Sequence, residues 1–315
     1  NALTEANLTS ETLTVNLSNT TFVDNVLAKS NFTLNNAPPG VTVSDVQYSS
    51  STSATLKLAY DDTDFDTNVS NLSITVAGTE LNSGANLTTS SLPITALIES
   101  LSVSTITDFG SKCLNTETTN TFTVSGSNLK QGSVNLASLS GFTYSLNNTD
   151  FNTSINIPTI AGTLAATTVY VKFTPTLAQS YNGNIVVSGV GAPSVNRSVT
   201  GTGINTPPTV IAPTSASVTT SSAVLGGNIT VIGCTNVTER GIYYSTTSGF
   251  ADGAGTKVSE TSASFATGTF TINVSGLSSG TTYYYKAFAT SASGTVYTSQ
   301  GTFKTLKVEP TNHPT

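Results

Sequence analysis

The sequence predicts an all-β chain of three β-sandwiches in tandem, and three observations carry the prediction. Val, Ile, Leu, Phe and Tyr recur at every second residue through short runs, the period at which a strand turns one row of side chains to a core and the other to a surface. Turns rich in Gly, Pro and Asn punctuate these runs. The chain has 315 residues, room for three sandwiches of about 100 residues each. Charged residues make up only 9% of it, and Trp and Met are absent, so hydroxyl and amide groups have to carry its solubility. A disordered Ser/Thr-rich segment would lack the apolar row that this chain repeats.

Charge narrows the partners. The formal net charge is −6 and Lys and Arg cluster nowhere, which argues against nucleic acid and against anionic membrane surfaces. No apolar run approaches the roughly 20 residues that span a bilayer, so membrane insertion is not expected. Neither an initiator Met nor a signal-peptide core opens the sequence, as expected of a processed mature chain or of a piece of a larger one.

Residues 1–97 form the first expected unit. Its strands are marked by Leu13-x-Val15-x-Leu17, Phe32-x-Leu34, Val41-x-Val43, Leu56-x-Leu58, Leu72-x-Ile74-x-Val76 and Leu92-x-Ile94, with turns at Pro38-Pro39-Gly40 and Asn82-Ser83-Gly84. The stretches FTLNNAPPGVTV, LAYDDTDFD and LSITVAGTEL resemble an immunoglobulin-like β-domain of secreted Bacteroidota proteins. That resemblance implies an immunoglobulin-like sandwich; it is the charge-poor composition that suits an extracellular, cell-surface location.

Residues 98–204 form the second unit. Asp108-Phe109-Gly110, Val171-x-Phe173-x-Pro175 and Gly183-x-Ile185-x-Val187 resemble hydin-type immunoglobulin domains. Their roles are read as structural: Phe109, Phe173 and Ile185 in the core, Pro175 ending a strand, Gly183 turning the chain into the next. Asn205-Thr206-Pro207-Pro208 opens the third unit, 205–306, as a short, semi-rigid connection. There Tyr283, Tyr285, Ala287 and Ala289 alternate with Tyr284, Lys286 and Phe288. The spacing of Leu277, Gly280, Thr281 and Tyr283 resembles the tyrosine corner of fibronectin type III modules, whose phenol bonds back to its own loop. The usual buried Trp is missing, leaving Ile242 or Tyr244 to fill its place. Residues 307–315 read as a tail or as the lead-in to a further module. If subunits polymerise, Leu306 to Pro310 could add as a strand to a neighbour's sheet edge.

Chemistry is scarce in this sequence. The sole histidine is His313, in that tail, so no Ser-His-Asp or Cys-His pairing and no His-bearing zinc cluster can be assembled within the units. No cofactor is expected other than calcium. Asp62, Asp64 and Asp66 have the D-x-D-x-D spacing of a Ca²⁺ loop, although Thr67 and Ser73 stand where such a loop has its Gly and its Glu. The alternative is an acidic turn anchored by Phe65. Asn-x-Ser/Thr triplets, as at Asn7, Asn16 and Asn31, are frequent because Ser and Thr are frequent.

Two further expectations concern contacts. Tyr284, Lys286 and Phe288, beside Tyr243 on a neighbouring strand, form an exposed row that could meet a protein or a glycan; ordinary cross-strand pairing is the alternative. Cys113 follows the first strand of its unit, and Cys234 ends a strand running back toward that unit. Both sulfurs therefore point at one junction, and the topology predicts a disulfide between the second and third units, the alternative being two separate buried thiols. The whole is read as a non-catalytic, extracellular structural or adhesive protein. Its sandwiches lie end to end as a stalk or filament, touching neighbouring domains or identical subunits. The alternative is a spacer or carbohydrate-binding region beside a secreted enzyme.

Overall fold

Alternation along each strand becomes a buried row, and three separate cores result. The structure is a computed structural model that describes residues 2–309. The end of the expected tail, with Pro310, His313 and Pro314, lies outside the described residues. The first core gathers residues such as Leu56, Leu72, Ile74 and Ile94, the second Phe122, Phe142, Tyr144, Phe173 and Ile185, and the third Leu225, Ile229, Ile242, Tyr285 and Ala287. Burying one large apolar side chain stabilises a fold by roughly 1.5–3 kcal/mol, so each core is the principal support of its own unit.

In the first unit, Thr12–Asn16, Ser53–Tyr60 and Val41–Ser50 make one sheet. The facing sheet runs Leu3–Thr4, Leu92–Thr95, Val69–Val76, Phe32–Asn35, with Leu87–Thr88 on Val69–Val76. The Pro38-Pro39-Gly40 turn closes with Val41 N donating to the Pro38 carbonyl, and Gly40 sits at φ +77°, which a side chain would resist. In the second unit two four-stranded sheets face each other, one built on Thr118–Ser127 and Leu164–Phe173, the other on Ser133–Leu136 and Gly183–Gly189. Phe109, Phe142, Phe173 and Tyr181 pack ring against ring between them.

The first strand of this unit, the one that Cys113 is expected to follow, is in fact two. Ser100–Val103 pairs antiparallel with Thr118–Ser127, and Ser111–Cys113 pairs in parallel with Thr202–Ile204, the last strand of the unit. Between them Asp108 accepts a hydrogen bond from Gly110 N at 2.9 Å, and this tight turn lets the chain change sheets. The first unit is closed in the same way by the parallel pair Leu3–Thr4 and Leu92–Thr95. Because first and last strands run in one direction, the chain enters each of these units at one pole and leaves at the other.

The third unit sets Thr209–Ala216, Ser222–Val231 and Gly268–Ser275 against Thr256–Phe265, Val237–Ser245, Thr282–Ser291 and Gly294–Tyr297, with Gly301–Lys304 also on Thr282–Ser291. Ile242 is fully buried, while Tyr244 packs at the margin of the core. Tyr283 makes the expected corner: its hydroxyl accepts Ser278 N at 2.9 Å. The second unit has a corner of its own that its sequence did not announce, since the Tyr181 hydroxyl accepts Thr176 N at 3.0 Å and Leu177 N at 2.9 Å. After Lys304 the chain has no further strand through Glu309, and Leu306 N donates to the Thr219 carbonyl of its own unit.

Candidate functional site

The loop 61–66 is fixed from inside, and that fixing decides what it shows outside. Phe65 is buried, edge-on to Tyr60, and its N–H points at Glu5 Oε1. Glu5 is itself buried and saturated: the Tyr60 hydroxyl donates to its Oε1 at 2.7 Å, and Leu97 N to its Oε2 at 2.9 Å. Burial and the neighbouring Glu5 carboxylate push the Tyr60 hydroxyl pKa well above its ordinary value. With Phe65 turned inward, period-two alternation sends Asp64 and Asp66 out on one side. They meet Glu99 there, the three offering carboxylate oxygens all within 4.8 Å of one another.

Glu99 comes from the segment joining the first unit to the second. It is only 5% exposed, and its Oε2 has no hydrogen-bond partner. Desolvation raises its pKa, with Asp64 and Asp66 adding to the rise and Lys130 opposing it. Lys130, from the second unit, pairs with Asp64 at 2.9 Å, and that hydrogen bond raises the lysine's pKa. Asp64, Glu99 and Lys130 line a cleft of about 510 Å³ together with Glu5, Tyr60, Asn128 and Gln131. Asp62 also lines it, but from a backbone at φ +64° and outside the acidic group. Of the expected set Asp62, Asp64 and Asp66, the structure brings the last two together with Glu99, and Asp62 lies apart from them. Spacing along one loop could not show a carboxylate that lies 33 positions after Asp66.

The second junction is built differently. Cys113 and Cys234 are joined as a disulfide, with a Cα–Cα distance of 5.3 Å. Cys113 ends the short strand paired at Ile204, and Cys234 N donates to the Thr206 carbonyl at 2.8 Å, so backbone bonds hold the linker beside the bridge.

The row Tyr284, Lys286, Phe288 is not an exposed aromatic strip. Phe288 is 1% exposed, because the outer face of its sheet is itself covered. The Tyr243 and Tyr297 rings lie 5.0 and 6.1 Å from the Phe288 ring, and the Lys257 ammonium 5.2 Å from it. Opposite Phe288 in the ladder is Gly241, where a Cβ would come within 2.8 Å of the ring; the absent side chain is what lets the ring lie down. Lys286 pairs with Asp252 at 2.6 Å over buried Phe250. Tyr243 and Tyr284 remain half-exposed.

Among the described residues no helix is long and apolar enough to cross a membrane. No family model matches the chain, and no curated protein matches it. Solved structures do. One of domains from titin is 12% identical, covering 86% of this chain and 85% of that one, at a TM-score of 0.26. The FN1–FN3 domains of chicken CNTN1 are 12% identical, covering 82% of each, at 0.26. A two-domain fibronectin type III segment of chicken tenascin is 15% identical, covering 65% of this chain and 98% of that one, at 0.27. The chain's own sheets and corners define its class, a tandem array of immunoglobulin-like and fibronectin type III-like β-sandwiches.

Proposed function

We propose that the chain is a non-catalytic spacer, a stalk or filament segment of an extracellular surface protein of the Bacteroidota kind, with a hydin-like second unit. The observation that carries this reading is where the specific chemistry falls. The disulfide, the Lys130–Asp64 pair and the acidic group all lie between units, where they set the geometry of an array. A disulfide linking separate units also suits an oxidising, extracellular setting. Against catalysis stand the single histidine of the sequence and the use of both cysteines in that bridge. A carbohydrate-binding role loses support with Phe288, whose ring is unavailable for stacking.

Scattering and electron microscopy of the purified chain test the reading. Three sandwiches of roughly 35–45 Å each, set end to end, give a rod of about 100–130 Å. A profile with the radius of gyration of a 315-residue sphere would contradict it.

A further inference from the structure

We infer that Asp64, Asp66 and Glu99 form a divalent-cation site, for Ca²⁺ by the chemistry of its donors, which joins the first unit to the second. Three carboxylates supply oxygen only, the donor that hard cations take, and oxygens bound at about 2.4 Å from one ion lie no more than about 4.8 Å apart. The three present oxygens within that span.

Acidic groups on a surface gather without an ion, so the independent observation is Glu99. Glu99 is only 5% exposed, and its buried Oε2 has no hydrogen-bond partner. An uncompensated buried carboxylate is costly, and pairing or metal coordination is what relieves it. It is also held in place: a Cβ on Gly191, in the second unit, would lie 2.9 Å from its Oε1, so that loop backs the carboxylate. Lys130 does not supply the missing partner. It pairs with Asp64, with its side chain 49% exposed, and leaves Glu99 Oε2 bare. A half-exposed lysine can swing to solvent when a cation enters, while Asn128 and Gln131 in the cleft, with water, are available to complete the shell. The site's donors come from the loop 61–66 and from the connecting segment packed on the second unit, so binding would tie the two together.

The test is calorimetric titration of the intact, chelator-stripped chain with CaCl₂ and separately with MgCl₂, alongside thermal melts. Expected are one Ca²⁺ site tighter than about 1 mM, as in extracellular modules, weaker Mg²⁺ binding, and a loss of about tenfold or more in Glu99→Gln. Lys130→Met should bind Ca²⁺ more tightly, and Ca²⁺ should raise the Tm of the wild type but not of Glu99→Gln. Asp66→Asn, at an exposed position, gives the same readout should Glu99→Gln fail to fold. No heat and no Tm rise at about 10 mM Ca²⁺ would overturn the inference, as would wild-type binding that Glu99→Gln and Asp66→Asn leave unchanged.

Discussion

The two junctions solve one problem by opposite means. Between the second and third units the connection is covalent, Cys113 to Cys234, flanked by backbone bonds at Ile204 and Thr206. Between the first and second it is ionic, a partly exposed Lys130–Asp64 pair beside a buried Glu99 whose Oε2 has no hydrogen-bond partner. A disulfide fixes its angle whatever the salt, whereas an exposed ion pair contributes about 0–1 kcal/mol and is screened by salt. The difference teaches that this array has one joint fixed by a covalent bond and another held by a pair that salt screens.

Removing the bridge should have the largest effect. Chain-entropy reasoning on a sequence separation of 121 puts the ceiling near 5 kcal/mol when both linked units unfold together. The Cys113→Ala/Cys234→Ala chain should therefore melt in separate steps for its second and third units, at lower temperature, as calorimetry would show. An unchanged melt would remove the second junction's privilege. Weakening a unit instead of a junction gives the reference: Tyr181→Phe orphans two N–H groups and should cost about 1–3 kcal/mol, more than Tyr283→Phe, which orphans one. Denaturant titration of each variant ranks them.

The smallest effect is expected at the ionic junction. Lys130→Met should change stability by no more than about 1 kcal/mol without added cation, measured in low-salt buffer with chelator. A loss comparable to that of the cysteine variant would erase the contrast between the junctions.

Much of the fold was legible, because half-buried strands write their faces into period two. The runs Leu56-x-Leu58 and Leu72-x-Ile74-x-Val76 became strands with those residues buried. Reading failed where a second layer covers a strand: Thr282–Ser291 is buried at Ala287, Phe288 and Ala289 in succession, and alternation has no meaning when both faces are covered. Tyr181 went unnoticed since Pro175, six residues before it, stands where the third unit's corner has Leu277. Glu99 could not be found by spacing, because it meets Asp64 and Asp66 only through the packing of one unit on the next. The meeting of Cys113 and Cys234 was within reach because strand direction alone fixes the pole at which each lies.

The most direct test of the contrast is a pair of distance distributions, from spin labels carried on unnatural amino acids so that the cysteines stay bonded. One pair spans each junction, and each is measured with and without reductant in chelator. The second junction should show a narrow distribution that broadens on reduction, while the first is broader and indifferent to reductant. Equal widths at both junctions in the oxidised chain, unmoved by reduction, would contradict it.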